Sequence, residues 1–217
     1  MRVSLWFLSL ATILGAAIAS CAEGGSGVTT SAASASGGSG TTTATGGAAT
    51  TSSSTTAPPS HAVINEISAK GGDWVEILNP GGAPLDLSGF GLCDDVDPAA
   101  GSECDKATAA RFPKGTTLPP GGYLLVVGNQ PAGDGVGPHV DCLADGGPTT
   151  CFYATWKVSS SSGETVHLVD ADDAPIDEVH YPADAVPSGE TWGRLPDGTG
   201  IFAANLPTPG APNQAAP

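Results

Sequence analysis

Residues 61–92, HAVINEISAKGGDWVEILNPGGAPLDLSGFGL, carry the clearest structural signal in the sequence. Two short runs at 62–67 and 73–78 are rich in β-branched and other apolar residues, and an Asn-Pro-Gly-Gly turn follows the second run. Runs of this length bounded by turn-forming residues predict β-strands. A third run at 85–92 continues the pattern. This part of the chain is therefore expected to be a series of short strands.

The pattern of short strands continues to residue 195. The sequence predicts further strands at 110–112, 123–127, 152–158, 164–169, 176–181 and 191–195. The run at 123–127 is apolar on both sides, which favours a central strand. The 31 Gly and 19 Pro are spread through 217 residues, and no 3.6-residue apolar period appears, so long helices are not expected. The expected fold class is all-β, as a β-sandwich.

The charge balance excludes one class of partner. The chain has 7 Lys and Arg against 22 Asp and Glu, which gives a formal net charge of −15 at pH 7. A surface this acidic repels phosphate backbones, so no nucleic-acid partner is expected. The same charge weakly favours a cationic partner, although charge of this size also serves solubility.

The N-terminus predicts export. Residues 1–20 combine a short positive start with an apolar run, 5–18, of 14 residues, which is shorter than the roughly 20 residues of a membrane-spanning helix. The stretch Ile18-Ala19-Ser20-Cys21 resembles the lipobox of bacterial lipoproteins, in which the cysteine is lipidated and becomes the first residue. A secretory signal cut near Ala19 or Ala22 is the alternative. Lipidation of Cys21 would anchor the protein in a membrane, and Ala22 after the cysteine indicates the outer membrane of a Gram-negative bacterium.

Residues 21–60 are expected to form a disordered tether. Ser, Thr, Gly and Ala account for 35 of the 39 residues from 22 to 60, and Glu23 is the only charged side chain among them. Such a composition cannot bury a core. A flexible coil of this length has ends on the order of 35 Å apart. The tether would therefore hold a folded domain, residues 61–217, away from the membrane.

Several blocks of the domain resemble the lamin-tail domain, an immunoglobulin-like β-sandwich found in nuclear lamins and in many exported bacterial proteins. The opening blocks are VINEI, DWVEILNP and LDLSGF, and later blocks appear in the same order as in that family. The matching blocks are 63–67, 73–80, 85–90, 118–124, 163–166, 176–179, 194–198 and 208–213. The resemblance implies an immunoglobulin-like sandwich, and it supplies no catalytic residue.

Two stretches depart from that resemblance, 93–108 and 130–151, and each contains two cysteines. Export to an oxidising compartment and an even count favour disulfides. We expect the pairs Cys93–Cys104 and Cys142–Cys151, because each pair brackets one departing stretch. These pairs enclose 10 and 8 residues, which is wider than the spacing typical of a Cys₄ zinc site. Crosswise pairings, which would join the two stretches, remain the alternative.

Residues able to carry chemistry are few. No nucleophile elbow, P-loop or dinucleotide-binding motif occurs in the sequence. Trp74 is expected to pack in the fold, and Glu66 and Glu76 to accept backbone hydrogen bonds rather than perform acid/base chemistry. His167 and His180 are expected on neighbouring strands with Glu178 close by, in a cross-strand contact.

Acidic loops are the remaining candidates for a ligand. Asp94, Asp95 and Asp97 lie in an expected loop, where carboxylates can bind Ca²⁺ together with backbone carbonyls and water. The spacing does not match an EF-hand. A weak calcium site is therefore a hypothesis, and a solvated acidic surface is the alternative. A second acidic run, 170–173, has the same two interpretations.

These features together predict a function. We expect a membrane-anchored extracytoplasmic lipoprotein that presents a non-catalytic binding or surface-architecture module. Its partner would be an envelope protein or a cell-surface polymer, and its lipid anchor would contact the membrane. The alternative is an accessory subunit of a secreted metal-dependent hydrolase, or such a hydrolase itself with its metal at the acidic loops.

Overall fold

The computed structural model describes residues 59–97, 101–143, 147–148 and 150–217. The predicted signal peptide 1–20, Cys21 and the tether up to residue 58 lie outside the described residues, as does the side chain of Asp97. The described residues form short strands and one 3₁₀ turn at Ala132–Asp134. The strands are β1 Val63–Ser68, β2 Trp74–Leu78, β3 Leu85–Asp86, β4 Gly91–Cys93, β5 Asp95–Asp97, β6 Gly101–Cys104, β7 Ala110–Arg111, β8 Thr117–Leu118, β9 Tyr123–Val127, β10 His139–Val140, β11 Thr150–Tyr153, β12 Glu164–Val169, β13 Pro175–Tyr181, β14 Thr191–Leu195, β15 Ile201–Leu206 and β16 Gln214–Ala215.

Two sheets pack face to face. The large sheet has the order β10-β11-β9-β2-β1-β14-β15-β16, and the small sheet has the order β13-β12-β4-β7. Strands β3 with β8 and β5 with β6 form two short ribbons. The buried core lies between the sheets and includes Ile64, Ile77 and Val126 from the large sheet and Leu92 and Leu168 from the small sheet. The predicted all-β sandwich is confirmed.

Most of the predicted strands are present, and three of them have the predicted limits. Strands 123–127, 164–169 and 191–195 have the predicted bounds, and β9 lies inside the large sheet as expected. The prediction of a single strand over 85–92 is wrong. The chain turns at Gly89, where φ is +79°, and the run divides into β3 and β4. The predicted run 152–158 is also wrong, since β11 ends at Tyr153. Strand β15 was not predicted.

A β-bulge in β1 shapes the outer face of the large sheet. The register with β2 shifts between Ile64 and Glu66, so that Ile64 pairs with Ile77 and Glu66 pairs with Glu76. A bulge inserts one residue into a strand and turns two successive side chains toward one partner. Here Asn65 is the inserted residue, and both Asn65 and Glu66 lie beside Glu76.

Side chains from two other strands complete the hydrogen bonds of Ile64 next to the bulge. The Ile64 amide donates to Asp177 Oδ2 of β13 at 2.8 Å, and Arg194 Nε of β14 donates to the Ile64 carbonyl at 2.8 Å. Arg194 also pairs with Asp177 at 3.1 Å. Because Asp177 belongs to the small sheet and Arg194 to the large sheet, this partly buried ion pair connects the two layers.

Both disulfides form the expected pairs. Cys93 of β4 is bonded to Cys104 at the end of β6, with Cα atoms 5.5 Å apart, and Cys142 is bonded to Cys151 of β11, with Cα atoms 6.3 Å apart. The prediction of Cys93–Cys104 and Cys142–Cys151 is confirmed, and the crosswise pairings are excluded. Each bond closes a short loop and thereby lowers the entropy of the unfolded chain.

Gly193 of β14 provides a test of the outer face. A Cβ at this position would lie 2.8 Å from Asn213 Nδ2, 3.2 Å from the Asn65 carbonyl, and against the amide of Asn205. We expect Gly193→Ala to lower the free energy of unfolding by about 1–3 kcal/mol, since the neighbouring amides must move. Urea denaturation measures the change. Gly82→Ala is the control, because a Cβ there would meet nothing within 4 Å. Equal stability of the two variants would contradict the described packing.

Candidate functional site

The largest described concave surface lies at one end of the large sheet. It has a volume of about 510 Å³ and is built from the β1–β2 turn, the residues before β14 and the residues after β15. Trp74, Leu143, Pro207 and Pro209 give it apolar walls, while Lys70 and Glu190 supply charge at its rim. We call this surface together with its neighbour the distal groove.

A second cavity of about 350 Å³ adjoins the first and shares Gly71, Gly72 and Leu143 with it. It extends toward Asp73 and toward the residues after β9. Burial raises the pKa of the Asp73 carboxyl above its usual value, against the attraction of Lys157. The two cavities together form the distal groove, and each has one acidic residue in its lining, Glu190 in the first and Asp73 in the second.

The groove lies at the opposite end of the domain from the point where the N-terminal segment enters. Gly72 precedes the first residue of β2, whereas the Asn79–Gly82 turn follows its last residue. The described chain begins beside that turn, since a Cβ on Gly81 would lie 3.5 Å from the Pro59 carbonyl. The five residues of β2 separate the two ends by about 17 Å.

The C-terminal segment 207–213 forms one wall of the groove and is fixed by Glu66. Glu66 is fully buried and accepts hydrogen bonds from the Thr208 amide at 3.2 Å and from Thr208 Oγ1 at 3.0 Å. The Thr191 hydroxyl of β14 also donates to Glu66. Burial raises the pKa of Glu66, although these hydrogen bonds oppose the shift.

Glu76 fixes the same segment two residues further on. Glu76 is fully buried, and it accepts a hydrogen bond from the Gly210 amide at 2.6 Å and from Asn65 Nδ2 at 3.1 Å. Burial raises the pKa of Glu76 to about 8, and the nearby carboxyl of Glu66 adds to the shift. Both glutamates therefore bind backbone amides, as the sequence predicted. Trp74 is also buried as predicted.

Asn213 and Asp197 hold the end of the segment. The Asn213 amide donates to Asp197 Oδ1 at 2.9 Å, and its side-chain Nδ2 donates to the carbonyls of Asn65 and Arg194 at 3.1 and 2.9 Å. The Tyr123 hydroxyl donates to Asp197 Oδ2 at 2.7 Å. Burial and this hydrogen bond raise the pKa of Tyr123. The groove wall thus rests on a continuous polar network.

The predicted histidine contact is present on the small sheet. His167 of β12 pairs with Glu178 of β13, and its Nδ1 lies 3.4 Å from Glu178 Oε2. Its Nε2 lies 3.0 Å from Asp95 Oδ1. His180 lies on β13 with its Nδ1 3.3 Å from Thr165 Oγ1. These contacts join β5, β12 and β13.

The expectation that Asp94, Asp95 and Asp97 lie in a loop is wrong, since Asp95–Asp97 forms β5, which pairs with β6. The acidic residues proposed for calcium are only partly brought together. Asp95 is buried. It accepts a hydrogen bond from the Thr165 amide at 2.9 Å and also contacts His167. Asp94 contacts Glu164, whose pKa burial raises to about 7. The Asp97 side chain lies outside the described residues, and within the described ranges no group of three His, Cys, Asp or Glu is arranged for a metal. The calcium hypothesis therefore stays a prediction. In the second acidic run, 170–173, Asp173 forms an ion pair with Arg111.

Comparison with protein-family models places the fold. The model described as Lamin Tail Domain matches residues 55–183, more than half of the chain. The chain belongs to the lamin tail domain family. Its domain is accordingly an immunoglobulin-like binding or structural module. No curated protein sequence matches the chain.

The lamin tail match ends before the C-terminal parts of the site. Two blocks that also resemble the family in sequence, 194–198 and 208–213, lie beyond residue 183. In the structure they supply Arg194, Asp197, Thr208 and Asn213 to the polar network. No helix in the part of the chain that the structure describes combines the length and apolar character needed to cross a membrane.

The raised pKa of Glu76 predicts a pH dependence of stability. The pKa of this carboxyl is about 8 in the folded protein, against 4.5 for an unperturbed glutamate. Between these values the folded state holds more protons, so the free energy of unfolding should fall as pH rises. This one group contributes a slope of up to about 1.4 kcal/mol per pH unit. Glu76→Gln should remove most of that slope in urea denaturation between pH 5 and about 8.

Glu103→Gln is the control for this experiment, because it removes an exposed carboxyl and leaves the buried pair intact. Its pH dependence should equal that of the natural chain. A Glu76→Gln variant that keeps the full slope would show that other groups cause it.

Proposed function

We propose that this chain is a membrane-anchored extracytoplasmic lipoprotein, and that its lamin tail domain is a non-catalytic binding module. Lipid on Cys21 would hold the chain on the outer membrane, and residues 21–60 would separate the domain from the lipid surface. An envelope protein or a cell-surface polymer would be the partner.

One structural observation supports this proposal above the others. The N-terminal segment enters beside the Asn79–Gly82 turn, and the distal groove lies at the other end of β2. A domain attached in this way presents the distal groove away from the point of attachment. Binding surfaces are commonly concave and largely apolar, with a few polar groups, and the groove has this character.

The disulfides agree with the proposed location. Cys93–Cys104 and Cys142–Cys151 account for every cysteine after Cys21. Disulfides persist in oxidising environments such as the bacterial periplasm and cell surface. Cys21 is then the one cysteine left for lipidation.

Cys21→Ser tests the anchor, since the hydroxyl of serine does not replace the thiol in lipidation. We expect the natural chain to sediment with membranes and to carry a diacylglycerol-modified N-terminal cysteine by mass spectrometry. The Cys21→Ser variant should be soluble or uncleaved. Ser20→Ala is the matched control, because it keeps a small residue before the cysteine and should stay in the membrane fraction. A natural chain with an unmodified N-terminus at another residue would contradict the anchor.

A further inference from the structure

The walls of the distal groove offer two kinds of contact to a ligand. Trp74, Leu143 and the two prolines form the apolar part, and Gly71 and Gly72 line both cavities. Gly71 and Gly72 are exposed and have no side chain, so a ligand can approach the backbone of the β1–β2 turn closely. A Cβ on Gly71 would meet nothing within 4 Å, and one on Gly72 would touch only the Trp74 ring at 3.5 Å. Backbone donors and acceptors beside apolar walls suit an extended peptide.

The charged residues of the groove determine which charge a ligand should carry. Lys70 at the rim is already paired with Asp184 at 2.9 Å, so its charge is balanced within the protein. Glu190 lies in the larger cavity and Asp73 in the smaller one. Lys157 attracts Asp73, but within the described residues neither carboxylate forms an ion pair of 4 Å or less. The whole chain adds a formal charge of −15. A field of this sign attracts cations and repels anionic ligands.

We propose that the distal groove binds an extended basic segment of a partner polypeptide. Its aliphatic or proline side chains would pack against Trp74, Pro207 and Pro209, its backbone would lie along the Gly71-Gly72 turn, and its basic side chains would reach Glu190 and Asp73. The proposal rests on the binding role proposed above for the domain, and it does not depend on the lipid anchor.

The groove can be blocked without disturbing the fold. Gly72→Leu places a side chain in the shared part of both cavities, where a Cβ makes only ordinary van der Waals contact. Gly82→Leu is the matched control, because it introduces the same side chain into open space at the other end of β2. Both variants of the full chain, solubilised in detergent, should have the thermal stability of the natural chain.

An alternating Lys-Pro peptide of about ten residues is the probe, since it is basic and extends to about 31 Å as a polyproline II helix. We expect the natural chain to bind the fluorescent peptide at about 0.15 M salt, where the Debye length of about 8 Å suppresses long-range attraction. Gly72→Leu should weaken binding by about tenfold or more, whereas Gly82→Leu should leave it unchanged. An alternating Glu-Pro peptide should not bind measurably.

Three results would overturn the proposal. The first is absence of Lys-Pro binding by the natural chain, and the second is equal binding by the two leucine variants, which would indicate general attraction to an acidic surface. The third is a dimer in sedimentation that Gly72→Leu dissociates, since a second copy would then occupy the groove. Anchoring is measured separately through Cys21, so either proposal can fail while the other stands.

Discussion

The buried carboxyl groups of Glu66 and Glu76 organise the outer face of the large sheet. They lie opposite each other on β1 and β2 because the bulge at Asn65 brings Glu66 into register with Glu76. Burying a carboxyl group is unfavourable unless its oxygens receive hydrogen bonds. The amides of Thr208 and Gly210 provide these bonds and in return fix the C-terminal segment across the sheet. The wall of the distal groove formed by Pro207 and Pro209 depends on that arrangement, and so does the close packing of Asn213 against Gly193.

The family match and the structure divide the chain differently. The match to the lamin tail model ends at residue 183, yet β14, formed by Thr191–Leu195, lies between β1 and β15 in the large sheet. Arg194 of β14 connects to Asp177 of the small sheet and to the Ile64 carbonyl. The residues after 183 therefore belong to the folded domain rather than to an appendage.

The sequence predicts individual strands well, but it does not predict contacts between residues that lie far apart along the chain. Strand β9 was predicted with its observed bounds because it is an apolar run after a Pro-Pro-Gly-Gly turn, and β12 because Gly163 and the acidic run 170–173 flank it. Strand β15 was missed, since its Ala203-Ala204 centre shows neither β-branched residues nor an alternating pattern. The role of Glu66 as a hydrogen-bond acceptor was foreseen, but its partner Thr208 is 142 residues away, and no local pattern reports such a contact. The groove was not predicted for the same reason, since segments from several parts of the chain form it.

The position of β14 has a consequence for the order of folding events during synthesis. β1, the first of the described strands to be made, pairs with β2 on one side and with β14 on the other, and Glu66 meets Thr191 across 125 residues of sequence. Contacts this distant form late, because a long loop must close before they contribute any energy. A chain synthesised from its N-terminus therefore cannot complete the large sheet until residues 191–215 have been made. Until then, the edge of β1 that faces β14 has no partner strand.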